Sequence, residues 1–258
     1  MKRGYIAAFI VFLTFSTTYA QTDTMIEWPY VGSDQSHSKF SPATQITANN
    51  VSNLEIAWEW EPGELPLPEY GTRPGGFETT PIMIDNVLYL STMYTRVIAL
   101  DAETGKELWA FDPRVYEAGP IGTSPGGFKH RGVAVHGKAG EMRVFINTRD
   151  SLYALHAKSG ELITSFGDGG KVLLTGDFPN PVTREEFDQT SPPVVFEDLV
   201  IVGSRVPDRI QHRFDPPGSV QAFDVHTGQK KWNFYTCLLY TSDAADEGLG
   251  VDLGGRRI

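Results

Sequence analysis

Short runs of β-branched and aromatic residues alternate along the chain with polar links of two residues. Residues 82–90 hold two apolar runs on either side of one polar pair, and residues 194–202 repeat this arrangement. Apolar runs of three to four residues around a two-residue polar link are typical of β-hairpins. The pattern therefore predicts short antiparallel strands rather than long helices.

A second pattern occurs three times. Each copy begins with a small residue and an apolar residue, which are followed by Asp or His. A Thr-Gly or Ser-Gly pair ends the motif, and an aromatic residue comes shortly afterwards. The copies are residues 99–105 with Trp109, residues 154–160 with Phe166, and residues 222–228 with Trp232. The Asp can accept backbone N–H groups in a turn, and Gly supplies positive φ. We expect the aromatic residue to pack where one unit meets the next.

The Thr/Ser-Gly pair recurs after 55 and then 68 residues, which indicates a repeat architecture with insertions of variable length. Each unit predicts four strands: a hairpin, a strand that ends in the turn motif, and a strand that carries the aromatic residue. Four-stranded sheets repeated at this spacing are typical of the blades of a β-propeller. The predicted fold class is therefore all-β, with a β-propeller favoured and a β-solenoid as the alternative.

Composition supports this fold class and restricts the partners. The 258 residues are 40% hydrophobic and 12% aromatic, enough for a real core, while 26 Gly and 17 Pro favour many turns. The formal net charge is −10. A nucleic-acid partner needs a basic face, so we expect none, and we expect no binding to a membrane surface for the same reason.

The first 21 residues resemble a secretory signal peptide. Lys2 and Arg3 give a positive start, residues 4–15 are apolar, and small residues end at Ala20. The apolar run is shorter than the ~20 residues of a membrane-spanning helix, so we expect cleavage and no stable membrane span. The predicted location is the periplasm, and the predicted mature domain covers residues 22–236.

The last 22 residues have a different character. Residues 237–247 and 250–258 resemble the two ends of a translated sequencing-library adapter, in the right order. We therefore expect residues 237–258 to be a non-native tail and the native sequence to continue differently after Thr236. Cys237 is the only cysteine, so the exported domain is expected to contain no internal disulfide.

The turn motif resembles the tryptophan-docking motif of the quinoprotein dehydrogenases, which depend on pyrroloquinoline quinone (PQQ). Residues 99–109 carry it in full, as Ala-x-Asp-x-x-Thr-Gly-x-x-x-Trp, and residues 50–58 look like the segment that precedes the first full blade of these enzymes. The resemblance implies an eight-bladed propeller, of which this chain holds about half. Non-enzymatic propellers that act as protein-binding scaffolds carry the same docking motif, so further residues must decide between the two.

Two residues strengthen the resemblance to the dehydrogenases. Glu78 stands just before the first hairpin, where the family places a Glu that contacts the quinone. Arg131 lies in a His-Arg-Gly-Val-Ala sequence that is similar to a family motif whose Arg contacts the cofactor. A guanidinium binds a carboxylate through two parallel hydrogen bonds, and PQQ carries three carboxylates. A scaffold accounts for neither residue.

The chain departs from the alcohol and methanol branches of the family, which have two adjacent cysteines shortly before that Arg. Residues 125–129 contain none, so the strained disulfide above the quinone is missing. This departure favours the sugar-oxidising branch. His130 is a candidate to contact the cofactor in place of the disulfide, with a supporting role in the loop as the alternative.

Two further positions match cofactor residues of the family less directly. Thr190 aligns with a cofactor-contacting Thr if the register shifts by one residue. Asp208 follows a predicted hairpin strand, where the family places a carboxylate ligand of Ca²⁺, although a Glu is usual there. The family's catalytic aspartate and its other Ca²⁺ ligand belong to later blades, so no catalytic residue is assigned in this chain.

The resemblance thus implies oxidation of an alcohol or of the C1 hydroxyl of an aldose by hydride transfer to PQQ, with Ca²⁺ as Lewis acid. Electrons would pass to a periplasmic acceptor, either a cytochrome or a quinone. A scaffold without cofactor and a carbohydrate-binding solenoid remain as alternatives. No nucleophile elbow, zinc-type His/Glu pair or phosphate loop occurs in the sequence.

Overall fold

Three four-stranded antiparallel sheets make up the regular part of the protein. The computed structural model describes residues 26–121, 127–138, 140–178, 181–182, 187–206 and 215–236. Each sheet is a meander whose strands pair in chain order. The predicted signal peptide, the predicted non-native tail and Asp208 lie outside the described residues.

The first sheet consists of β1 (Ile82–Ile84), β2 (Val87–Ser91), β3 (Val97–Asp101) and β4 (Glu107–Phe111). The second consists of β5 (Ala134–His136), β6 (Arg143–Thr148), β7 (Ser151–His156) and β8 (Lys171–Leu173). The third consists of β9 (Val194–Phe196), β10 (Leu199–Gly203), β11 (Ser219–Asp224) and β12 (Lys230–Tyr235). Short 3₁₀ helices occur at Val51–Asn53, Pro68–Tyr70 and Val115–Ala118.

The predicted hairpins are confirmed. Ile84 pairs with Val87 across the first of them. Both residues between them have positive φ, 50° at Asp85 and 60° at Asn86. Two consecutive positive φ values define the type I′ turn, whose twist matches that of the flanking strands, and Asp and Asn tolerate this conformation.

The turn motif works as predicted in the first and third sheets. Asp101 accepts hydrogen bonds from the Thr104 amide at 2.8 Å and the Thr104 hydroxyl at 2.7 Å. These two bonds lower the pKa of Asp101. Asp224 accepts bonds from the amides of His226 and Thr227 and from the Thr227 hydroxyl. Desolvation acts in the opposite direction on Asp224, but the hydrogen bonds outweigh it and lower its pKa to about 2.

Tryptophan docking joins consecutive units. The indole N–H of Trp58 donates to the Ala102 carbonyl at 3.2 Å, and that of Trp109 donates to the Ala157 carbonyl at 2.9 Å. Each ring lies on the glycine of the turn that it meets: a Cβ added at Gly160 would be 2.5 Å from the Trp109 ring. The expected role of the aromatic residue is therefore confirmed for Trp109, and Trp58 docks on the first sheet in the same way.

Phe166 packs where the second unit meets the third, as expected, but its predicted position on a strand was wrong. This residue lies in the turn before β8 rather than on the strand, and its ring is fully buried 5.6 Å from that of Phe145. Val172 on β8 takes the place of the docking aromatic, because a Cβ at Gly228 would come 2.7 Å from its methyl group. The insertion between the turn motif and β8 moved the aromatic residue out of the expected register.

Apolar cores fill the space between neighbouring sheets. Tyr89 and Ala99 of the first sheet pack with Val144 and Leu155 of the second. A further cluster joins the second sheet to the third, with the rings of Phe145, Phe166, Phe187 and Phe223 at its centre. Four-stranded sheets stacked face to face are the blades of a propeller, so the predicted fold class is confirmed. Within the described residues, no helix is long and apolar enough to cross a membrane.

Gly160, the turn glycine that the Trp109 ring contacts, makes this packing testable. In the whole protein, Gly160→Ala should reduce the free energy of unfolding by about 3 kcal/mol. A side chain at its φ of +73° costs roughly 1 kcal/mol. Displacement of the Trp109 ring adds on the order of 2 kcal/mol in lost packing and hydrogen bonding.

Gly169→Ala is the matched control in the same sheet. Its φ is +62°, but an added Cβ there meets no atom within 4 Å. This variant should lose only the backbone contribution, roughly 1 kcal/mol. Chemical unfolding of both variants measures the difference, and equal losses would show that the junction does not depend on close contact with Trp109.

Candidate cofactor site

Three residues predicted from sequence occupy equivalent positions in the three blades. Glu78 lies four residues before β1, Arg131 three before β5, and Thr190 four before β9. The segments that hold them are neighbours: the Thr80 amide donates to the Arg131 carbonyl at 3.0 Å, and β5 lies against β9. The repeat therefore brings residues together that are about 50 to 60 positions apart in sequence.

Arg131 is the centre of this group. Its Nη2 lies 2.9 Å from Glu78 Oε2, and its Nη1 donates to the Thr190 hydroxyl at 2.9 Å. Lys129 Nζ lies 3.4 Å from the other carboxylate oxygen of Glu78. The side chains of Arg131 and Glu78 are 40% and 39% exposed. The group is therefore preformed by ion pairs and still open to a ligand.

The charges of the group favour an anion. Arg131 and Lys129 carry two positive charges and Glu78 carries one negative charge, which leaves one positive charge in excess. A guanidinium has five N–H donors in a planar fork, more than Glu78 and Thr190 require. The arrangement is therefore suited to bind a planar carboxylate while Glu78 and Thr190 hold the guanidinium in place.

The backbone conformation and close surroundings of residue 132 explain why a glycine follows Arg131. The φ of Gly132 is +147°, and an added Cβ would lie 3.1 Å from the Thr80 carbonyl oxygen. The segment that carries Arg131 thus runs directly beside the one that follows Glu78. A side chain at residue 132 would push these two segments apart and separate the ion pair.

His130 faces the interior of the protein. Its ring is 1% exposed, its Nδ1 lies 3.1 Å from the Ser91 hydroxyl, and the Gly132 amide donates to Nδ1 at 3.4 Å. Burial lowers the pKa of His130 to about 4, so the ring is neutral at pH 7. Because Nδ1 accepts, the proton sits on Nε2. His130 supports the segment from beneath, and its contact with the cofactor stays a prediction.

Sequence reasoning missed a polar layer below the group. Asn147 donates to the Gln189 side chain at 2.9 Å, and both are buried. Burial raises the pKa of Asp188, and Arg205 lies 3.6 Å from its carboxylate. These residues hold the segment that ends in Thr190.

Lys129 was also missed, although a signal was available. Residues two positions apart in an extended segment lie on the same side, so Lys129 and Arg131 share a face. Asp208, the predicted Ca²⁺ ligand, cannot be placed relative to the group because it lies outside the described residues.

The stacked blades, with Glu78, Arg131 and Thr190 at the starts of their first strands, define a segment of a β-propeller. Residues 28–249 match the PQQ family of glucose, ethanol and alcohol dehydrogenase β-propeller domains. The chain belongs to this family. The match runs past Thr236, and the native boundary predicted there stays a prediction.

The curated relatives agree. The chain is 32% identical over 225 residues to the quinoprotein glucose dehydrogenase of Escherichia coli K12, and 36% identical over 211 residues to the quinohemoprotein alcohol dehydrogenase ADH IIB of Pseudomonas putida. These matches cover 81% of this chain and 27% and 26% of the two relatives. The chain therefore spans about a quarter of their length.

A solved structure shows the same arrangement. The crystal structure of quinohemoprotein alcohol dehydrogenase from Comamonas testosteroni superposes with a TM-score of 0.61 at 25% identity. The superposition covers 81% of this chain and 27% of that one. The three blades described here thus correspond to about a quarter of that longer chain.

Proposed function

We propose that the whole protein oxidises an alcohol or the C1 hydroxyl of an aldose, with PQQ as the hydride acceptor. The observation that carries the proposal is the position of Arg131, held between Glu78 and Thr190 at the starts of three successive blades. The membership of the chain in the family of PQQ-dependent propellers supports it. The names of the relatives, which include dehydrogenases of glucose and of alcohols, support the substrate class.

The donors of the group fit PQQ chemically. PQQ is a planar tricarboxylate, and the group offers the guanidinium of Arg131, the ammonium of Lys129 and the hydroxyl of Thr190. The ion pair with Glu78 orients the guanidinium in advance, which lowers the entropy lost on binding. The side chains are partly exposed, so a ligand has access without unfolding of the segment.

The protein's part in the proposed reaction is to bind and orient. PQQ, when bound, supplies the quinone carbon that accepts a hydride. Arg131 would hold one of its carboxylates, and Glu78 and Thr190 would fix Arg131. Asp208 would provide one oxygen ligand for Ca²⁺, which would supply Lewis acidity to the site when bound. The base that removes the hydroxyl proton would come from later blades, as would the remaining Ca²⁺ ligands.

An aldose is favoured over a simple alcohol. The single cysteine of the sequence lies at position 237, so no cysteine pair stands before Arg131 as it does in the alcohol branch. We further propose that residues 1–21 direct the protein to the periplasm. There it would pass electrons to a cytochrome or a quinone rather than to a soluble nicotinamide.

A dye-linked assay tests the proposed function. The whole protein, expressed from the complete gene and supplied with PQQ and Ca²⁺, should reduce the dye with glucose and more slowly with ethanol. Omission of PQQ should abolish the activity. A folded protein that binds no PQQ and reduces no dye would instead support the alternative, a propeller that serves as a protein-binding scaffold.

A further inference from the structure

A cluster of metal-binding side chains lies between the second and third blades. His136 is the last residue of β5, Asp198 lies in the turn between β9 and β10, and His226 lies in the docking turn after β11. Among the described residues, this trio is the group whose imidazole and carboxylate atoms approach within 4.8 Å of one another. Its members come from two different sheets.

The distances are near those of a coordinated ion. The Nε2 atoms of His136 and His226 lie 3.5 and 3.7 Å from Asp198 Oδ1. Ligand atoms around a tetrahedral Zn²⁺, at ~2.0–2.1 Å from the metal, are about 3.3 Å apart. The two nitrogen–oxygen distances exceed this spacing by only a few tenths of an ångström, and all three ligand atoms lie within 4.8 Å of one another.

The chemistry and the access also suit a transition metal. Two imidazole nitrogens and one carboxylate oxygen form a donor set that Zn²⁺ uses commonly, and it leaves a fourth position for water. Asp198 is 76% exposed and His226 is 54% exposed, and the cluster borders an open cavity of about 650 Å³. An ion can therefore enter from solvent.

Arg143 lies beside the cluster and is engaged with the backbone. Its Nη1 donates to the carbonyls of Val225 and His226 at 3.2 and 3.1 Å. These bonds direct the guanidinium to the backbone and fix the turn that carries His226. Such support behind a ligand is typical of metal sites.

The repeat itself does not require these residues. In every blade the second residue of the docking turn donates its amide to the hairpin loop: Ala102 to Asn86, Ala157 to Met142 and Val225 to Asp198. The equivalent positions at the junction of the first and second blades can be identified from these bonds. Ile84 corresponds to His136, Met142 to Asp198, and Lys158 to His226. Ile84, Met142 and Lys158 offer no imidazole or carboxylate ligand, so the donor set of the trio is a particular property of the second junction.

We infer that His136, Asp198 and His226 bind a divalent transition metal of the Zn²⁺ class, which ties the second blade to the third. The site is separate from the proposed cofactor group, because Arg131 precedes the start of β5 and His136 ends that strand. It does not rest on the proposed function. The ion would have a structural effect there, as a further link between two blades that meet through apolar packing and through the bonds of Arg143 to the docking turn.

Calorimetric titration of the whole protein with ZnCl₂ tests this inference, with Ca²⁺ present to occupy any all-oxygen site. We expect one Zn²⁺ per chain and a higher melting temperature with Zn²⁺. His226→Gln and Asp198→Asn should each weaken binding at least tenfold. Both residues lie in exposed turns, and circular dichroism checks that the variants fold.

His37→Gln is the control, because His37 is exposed and lies outside the cluster. It should bind Zn²⁺ as the wild type does. Substitution with Co²⁺ adds a second readout: intense visible bands of a four-coordinate ion are expected in the wild type and are lost in His226→Gln. Equal Zn²⁺ affinity in wild type, His226→Gln and Asp198→Asn, or no measurable binding to folded wild type, would overturn the inference.

Discussion

Replacement of Arg131 by alanine in the whole protein is expected to weaken PQQ binding by about 1.5 to 3 kcal/mol, the usual value of a hydrogen bond to a charged group. This range corresponds to a loss of affinity of roughly 10- to 150-fold. The effect is large for two reasons. The substitution removes the guanidinium, and it leaves the negative charge of Glu78, which Arg131 pairs with at 2.9 Å, unbalanced beside a bound carboxylate. Calorimetry with PQQ measures it.

Arg131→Lys separates charge from geometry. A lysine keeps the positive charge but cannot form two parallel hydrogen bonds, so we expect it to recover only part of the affinity. Arg114→Ala is a control, since this arginine is exposed and pairs with Glu117 on the surface. Unchanged PQQ affinity in both Arg131 variants would contradict the assignment of the site.

The 258-residue polypeptide, expressed by itself, should associate or aggregate and show no dehydrogenase activity even with PQQ and Ca²⁺. The reason is the outer face of the third sheet. Paired residues of neighbouring strands lie on one side of a sheet, and there Val194, Phe196, Trp232 and Phe234 are 60%, 51%, 41% and 63% exposed. A continuous apolar patch beyond a few hundred Å² promotes association.

Size-exclusion chromatography with light scattering tests this expectation. A variant with Phe196→Ser and Phe234→Ser should shift the polypeptide toward the monomer. Ile56→Ser is the control, because Ile56 is exposed and lies far from the third sheet in sequence. A wild-type polypeptide that is monomeric, melts cooperatively and oxidises substrate would contradict both the role of this face and our view that later blades complete the site.

The strands were predictable because local rules determine them. Alternating apolar runs, the Asp85–Asn86 turn and the Asp-Thr-Gly docking turns each depend on a few neighbouring residues, and all are present as expected. Phe166 was wrongly assigned to a strand, although it packs at the junction, because the insertion before β8 changes the register and the repeat pattern does not record how an insertion folds back. Burial of its ring against Phe145 decided its position.

The site was only partly predictable. Glu78 and Arg131 were found through motifs, and Thr190 was placed with them although its alignment required a shift of one residue. The spacing of Lys129 and Arg131 places them on one face, but the contact of Lys129 with Glu78 depends on the distance between two segments from different blades, which no local pattern specifies. The trio at the second junction was invisible for the same reason, since its members are separated by 62 and 28 positions.

We propose that this family member holds PQQ at the starts of its blades. Titration of the folded, cofactor-free whole protein with PQQ tests it most directly, with Arg131→Ala alongside. We predict one PQQ per chain in the wild type and weaker binding in the variant, each independent of substrate. No heat of binding to a cooperatively folded wild type, or equal binding in wild type and Arg131→Ala, would contradict the account.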